Sequence, residues 1–142
     1  MATDTVINKV ETIERCLKRI RETYNGDANY LEDLDKQDII LLNLQRACQA
    51  AIDLAAHICA LKRLGVPQDS KEVFQLLDDH QLITSEIAQS MKGMVGFRNV
   101  AVHDYQAINL AILKSILEKH LSDFTDFTSY ILKNLKNIGN IY

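Results

Sequence analysis

An all-α fold, an antiparallel up-down four-helix bundle with one extra short helix, is what this 142-residue sequence predicts. Three observations carry that expectation. Apolar residues recur at alternating steps of three and four over long stretches, the spacing that lines one face of an α-helix. One proline and five glycines are the chain's whole complement of strong helix breakers. Stretches in which β-branched or aromatic residues alternate with polar ones are scarce, which disfavours strands.

Taken in order, Val6, Val10, Ile13, Leu17, Ile20 and Tyr24 form the stripe of a first helix, and Asn25-Gly26-Asp27 supplies its stop. Ile40, Leu44, Ala47, Ala51, Leu54, Ile58 and Leu61 repeat the pattern in a second long helix ending near Gly65-Val66-Pro67. Asp69 or Ser70 can cap a short connector helix over Glu72 to Asp79, with Val73, Leu76 and Leu77 turned inward. A fourth helix begins near Thr84 and runs through Ile87, Met91 and Met94 to about Val102. The last carries Leu110, Leu117, Phe124, Ile131 and Ile138 at seven-residue intervals.

Composition sets further bounds. Apolar residues make up 47% and charged residues 25% of the chain, an ordinary globular balance that argues against disorder. No repeat, low-complexity tract or linker divides residues 1–142, so a single domain is expected. The opening MATDTVINKVETIERC lacks the basic head and apolar run of a secretion signal, and no segment approaches 18 apolar residues. A cytoplasmic chain without a membrane partner follows as an expectation. A net charge of −3 is not that of a general nucleic-acid binder, so any RNA contact must come from a local basic patch. Cys16, Cys48 and Cys59 are odd in number and lack metal spacing, which makes them reduced core residues. His80 and His120 have no partner at a metal-ligand spacing either, and neither metal nor cofactor is expected.

Chemistry concentrates between Gly96 and Tyr105. Arg98 continues the Ile87, Met91, Met94 stripe, so its guanidinium lies on a face that should be packed, and a charge there needs a partner or an interface. On an unbroken helix Arg98 and His103 stand about 140° apart, from roughly 100° per residue. Convergence therefore requires the helix to end between them, with Asp104 capping the last helix and the turn falling at His103 to Tyr105. Spacing alone also admits an Arg98 paired with a bundle carboxylate, a His103 that is only a polar helix end, and a half-buried Tyr105. Asn99 can bind phosphate or satisfy backbone groups. Arg46, Asp53 and His57 share a stripe of the second helix, where Asp53 and His57 either support the site or form a plain surface pair. Gly93 and Gly96 cost about 1 kcal/mol each against alanine, which suggests close approach of another backbone, that of a dimer partner being one option.

The run Arg98-Asn99-Val100-Ala101-Val102-His103-Asp104-Tyr105 resembles the Arg-x4-His-x-Tyr signature of HEPN proteins. With Gly96 and Phe97 it resembles the HepT branch, and the helical layout agrees over nearly the whole chain. The resemblance implies the toxin of a HEPN/MNT toxin–antitoxin pair: a metal-independent endoribonuclease in which a 2′-hydroxyl attacks the adjacent phosphate, with tRNA as the family-level substrate. Histidine can move the protons, and arginine's planar fork suits the charge of the transition state. One histidine cannot serve both sides of an in-line displacement, whereas a two-fold homodimer with facing motifs supplies two. The resemblance also implies that Tyr105 accepts AMP from a nucleotidyltransferase antitoxin of the MNT type, within a homodimer or a larger hetero-oligomer, and it favours Asp53 and His57 as a supporting pair. Two other readings stay open: a non-catalytic adaptor that binds a nucleotide or partner, and the antitoxin member of the pair.

Overall fold

The computed structural model describes residues 2–26 and 33–134, with side chains from Asp4 onward. Helix α1, Ala2–Tyr24, buries Val6, Val10, Ile13, Leu17 and Ile20 along one stripe. It stops where Asn25 and Gly26 take positive φ angles of 44° and 69°, a left-handed turn that glycine adopts without a Cβ clash. Asp27, the third residue of the expected stop, lies outside the described residues.

Helix α2, Leu34–Lys62, starts at Asp33, whose carboxylate accepts from the amides of Asp35 and Lys36 at 3.1 and 3.2 Å. It ends at left-handed Arg63, slightly before the expected Gly65-Val66-Pro67. By length and composition α2 could cross a membrane, but 61% of its most apolar window is buried inside the bundle, the pattern of a core helix that packs on α1 and on the helices that follow.

Helix α3, Glu72–Asp79, has the expected bounds. Asp69, not Ser70, holds its start by accepting from the amides of Lys71 and Glu72 at 3.0 and 2.9 Å. The helix is more than a connector. Its Phe74 is fully buried and meets Phe127 edge-on, with ring centroids 5.5 Å apart at 78°, a favourable arrangement of the two ring quadrupoles. Phe74→Ala should cost about 3–5 kcal/mol through lost burial and the cavity left behind. Thermal unfolding followed by circular dichroism should show a fall on the order of 15 °C.

Helix α4, Ser85–His103, is capped by Thr84, whose hydroxyl accepts from the Ile87 amide at 3.1 Å. It passes unbroken through Arg98 and reaches His103, so the expected helix end between those residues is not found. Ala101 is buried, and this inward contact keeps the last turn packed. Asp104 closes α4 instead of opening the next helix. Its amide donates to the Val100 carbonyl at 2.8 Å while its own backbone (φ −149°, ψ 73°) leaves the helical region. A single 3₁₀ turn, Tyr105–Ala107, follows. The cap of the next helix is Asn109, whose side chain accepts from the amides of Ala111 and Ile112.

The last rod is divided into α5, Leu110–Ser115, a π turn over Ile116–His120, and α6, Leu121–Lys133. Leu117, Phe124 and Ile131 of the seven-residue series are buried, whereas Leu110 is exposed at the rod's first position. Ile138 lies outside the described residues. α1 contacts α2 and α6, and α4 contacts the same two helices from the other side. The four rods therefore close a ring around one apolar core, with α3 against α2 and α4. No second backbone approaches Gly93 or Gly96 among the described residues. A Cβ on Gly93 would meet nothing within 4 Å, and one on Gly96 would meet only the Lys71 side chain, 3.6 Å from Nζ.

Candidate active site

Arg98 is positioned by the packed half of α4. Its guanidinium turns toward α2 and the loop before α3, where Nη1 donates to Gln49 Oε1 at 3.4 Å and Nη2 to Ser70 Oγ at 3.3 Å. Both bonds are long and therefore weak. Nε is buried without a hydrogen-bond partner among the described residues, and no described carboxylate pairs with the group, unlike the bundle ion pair that spacing admitted. The arginine is thus oriented but far from saturated, since a guanidinium carries five donors. Its positive charge reaches the interior, where it opposes the effect of burial on Cys48. Lys71 brings a second cation to the same edge, close to Gly96.

Asp53 belongs to this cluster through an intermediate. Gln49 Nε2 donates to Asp53 Oδ1 at 2.9 Å, and Lys9 Nζ on α1 binds Asp53 Oδ2 at 3.3 Å. A continuous polar chain therefore links Lys9, Asp53, Gln49, Arg98 and Ser70 across α1, α2, α4 and the loop. The expected Asp53–His57 pair is not formed. His57 is partly buried, with Nε2 unpartnered among the described residues. Arg46 is exposed and stands outside the chain of bonds, although its charge is felt at Cys16 on α1.

His103 occupies the final turn of α4, exposed and without a hydrogen bond or ion pair among the described residues. Five positions apart on one helix, Arg98 and His103 are separated by about 7.5 Å of rise and about 140° of rotation. They do not converge within the chain: one faces the bundle and the other faces outward. Asn99 is partly buried, and no bond from its side chain is present among the described residues.

Tyr105 reaches back across the bundle end. Its hydroxyl donates to Asp38 Oδ1 at 2.5 Å, joining the 3₁₀ turn to the second turn of α2. The proton is held tightly. The bond to the Asp38 carboxylate, then partial burial, then the carboxylate's charge push the phenol up to about 12. Asp38 was not legible as a site residue, and neither were Gln49, Ser70 or Lys71.

The cysteines are core residues, as expected. Burial pushes the Cys48 thiol up to about 12 and Cys59 up to about 11, and it raises Cys16 as well. The first two donate to the carbonyls of Met94 and Val73, and desolvated thiols of this kind are poor nucleophiles. His80 binds the Leu76 carbonyl and His120 pairs with Asp123 at 3.1 Å. Among the described residues no three His, Cys, Asp or Glu side chains form a group that could hold a metal.

Residues 13–131 match the family described as ribonuclease HepT-like. The chain is 47% identical over 121 residues to the mRNA nuclease HepT of Shewanella oneidensis, a match covering 85% of this chain and 91% of that protein. It is 32% identical over 102 residues to the tRNA nuclease HepT of Aphanizomenon flos-aquae, covering 71% and 69%. The fold superposes with a TM-score of 0.88 on the tri-AMPylated Shewanella oneidensis HEPN toxin in complex with MNT antitoxin. That match has 45% identity and spans 92% of this chain and 98% of the other.

Proposed function

The chain belongs to the HepT-like family of HEPN toxins, and from that membership we propose that it is the ribonuclease toxin of a toxin–antitoxin pair, cutting RNA without a metal through Arg98 and His103. The observation that supports this most directly is the contrast between the two residues. Arg98 holds an oriented, unsaturated guanidinium, and His103 presents a free imidazole at a helix end. The first suits phosphate and the second suits proton transfer.

In this reading a 2′-hydroxyl attacks its own 3′-phosphate. Its proton passes to one histidine, the phosphorus–O5′ bond breaks, and the departing 5′-oxygen takes a proton from a second. The products are a 2′,3′-cyclic phosphate and a 5′-hydroxyl. Arg98 stabilises the charge that gathers on the non-bridging oxygens, and Lys71 adds to the local positive field that an overall charge of −3 would not supply.

Two histidines require two copies. Val100 and Val102 are exposed on the His103 turn of α4, and Leu110 and Ile112 are exposed on α5, with Val102 and Ile112 each 50% accessible, apolar surface suited to a two-fold partner. The homodimer faces the two motifs across one cleft, which removes the need for Arg98 and His103 to meet within a chain. Asn99 borders that cleft, Asp104 fixes the end of α4 beneath it, and Asp53 braces Arg98 through Gln49.

Neutralisation acts at Tyr105. A nucleotidyltransferase antitoxin of the MNT type transfers AMP to the exposed phenol, adding negative charge and bulk where RNA phosphate must enter. Toxin and antitoxin form a hetero-oligomer in the cytoplasm. The two relatives are named for mRNA and for tRNA, so both RNA classes serve as substrates in the test. Purified, partner-free protein is incubated in chelator with total tRNA or an mRNA transcript, and the products are resolved on a denaturing gel. Fragments ending in 2′,3′-cyclic phosphate are expected. Intact RNA, with Tyr105 unmodified by intact mass, would overturn the ribonuclease reading.

A further inference from the structure

We propose that Asp38 is the proton acceptor for AMP transfer to Tyr105, so that the toxin itself supplies the base for its own neutralisation. The inference rests on Tyr105 being the acceptor and names the group that makes it reactive.

The geometry is already that of a base on its substrate. Asp38 Oδ1 lies 2.5 Å from the phenolic oxygen, at the short end of the range for a hydroxyl donating to a carboxylate and within reach of the proton to be removed. No cation pairs with Asp38, and its carboxylate has no other hydrogen bond among the described residues, so nothing competes for its lone pairs. Both side chains are exposed, Tyr105 at 46%, which leaves the phenol open to a nucleotide held by a second protein.

Chemistry requires such a group. At neutral pH the phenol is fully protonated, and a neutral hydroxyl is a weak nucleophile unless a base takes its proton as the new bond forms. Protein kinases meet the same demand with an aspartate that accepts the substrate hydroxyl's proton. Here Tyr105 Oη attacks the α-phosphorus of a nucleoside triphosphate and a phosphorus–oxygen ester bond forms. The bond between the α-phosphorus and the bridging oxygen breaks, pyrophosphate leaves with that electron pair, and the phenolic proton passes to Asp38 and from there to water.

Asp38→Asn separates this role from simple anchoring. The amide oxygen still accepts the phenol's hydrogen bond, so the 3₁₀ turn stays tied to α2, but an amide cannot take the proton. With purified nucleotidyltransferase antitoxin, ATP and Mg²⁺, the first AMP addition is followed by intact mass on wild type, Asp38→Asn, Asp38→Glu and Tyr105→Phe. The expected result is a kcat for Asp38→Asn lower by about 10²-fold or more, with KM for the toxin and its thermal melting unchanged and partial recovery in Asp38→Glu. Transfer to Tyr105 at the wild-type kcat in Asp38→Asn would overturn the proposal and leave Tyr105 as acceptor. Undiminished AMP uptake by Tyr105→Phe would instead overturn the acceptor assignment on which it rests.

Discussion

Alanine at position 103 is expected to remove nearly all RNA cleavage while leaving the fold intact. Loss of a general acid–base group costs about 10²–10⁴-fold. In a two-fold site the substitution removes the base from one copy and the acid from the other, so the single-turnover rate should fall by about 10⁴-fold or more. Stability should stay within about 0.5 kcal/mol of wild type, because the imidazole is exposed and bonds to nothing among the described residues. Rates on a synthetic RNA and a thermal melt measure the two quantities separately. A His103→Ala protein that cuts within tenfold of wild type would remove histidine from the mechanism altogether.

Arg98→Lys is the second large effect, and it arises although the charge is kept. Lysine places a point charge where arginine presents a planar fork, so it cannot span two non-bridging oxygens or reproduce the bonds to Gln49 and Ser70. Losing an electrostatic donor of this kind costs about 10²–10³-fold in kcat. RNA affinity, measured by filter binding in a His103→Ala background to prevent turnover, should change far less, because a cation remains. If Arg98→Lys instead cleaves at the wild-type rate, the guanidinium serves the polar chain to Asp53 and nothing more.

The helices were legible because their causes are local. Positive φ at Asn25 and Gly26 and a left-handed Arg63 before Gly65 appear where the turn residues cluster, and Asp33, Asp69, Thr84 and Asn109 each satisfy the amides of a first turn. The reading failed where packing overruled a local signal. Asp104 looked like the cap of the last helix, but it closes α4, and that helix begins only after a 3₁₀ turn, capped by Asn109. Leu110 fitted the seven-residue series yet begins the rod beyond the reach of the core.

At the site, the motif residues stood out by type and spacing, and their partners did not. Asp38 reads as an ordinary acid near a helix start and Gln49 as a surface amide, since each acquires its meaning from a residue on another element. Asp53 was found by its stripe but joined to Arg98 by a route the stripe did not contain. His57, from the same stripe, has no described connection to that chain of bonds.

The Tyr105–Asp38 bond spans 67 residues of sequence, and its consequence is one of quality control. The pair exists only after α2 and α4 have docked. On the proposed reading, an unfolded or nascent chain, which would not cut RNA, presents a phenol with no carboxylate beside it and would be a poor target for modification. If Tyr105 is the acceptor and Asp38 its base, the folded chain is both the harmful form and the reactive one, and a neutralising enzyme that depends on this pair would spend its nucleotide on the molecules that threaten the cell.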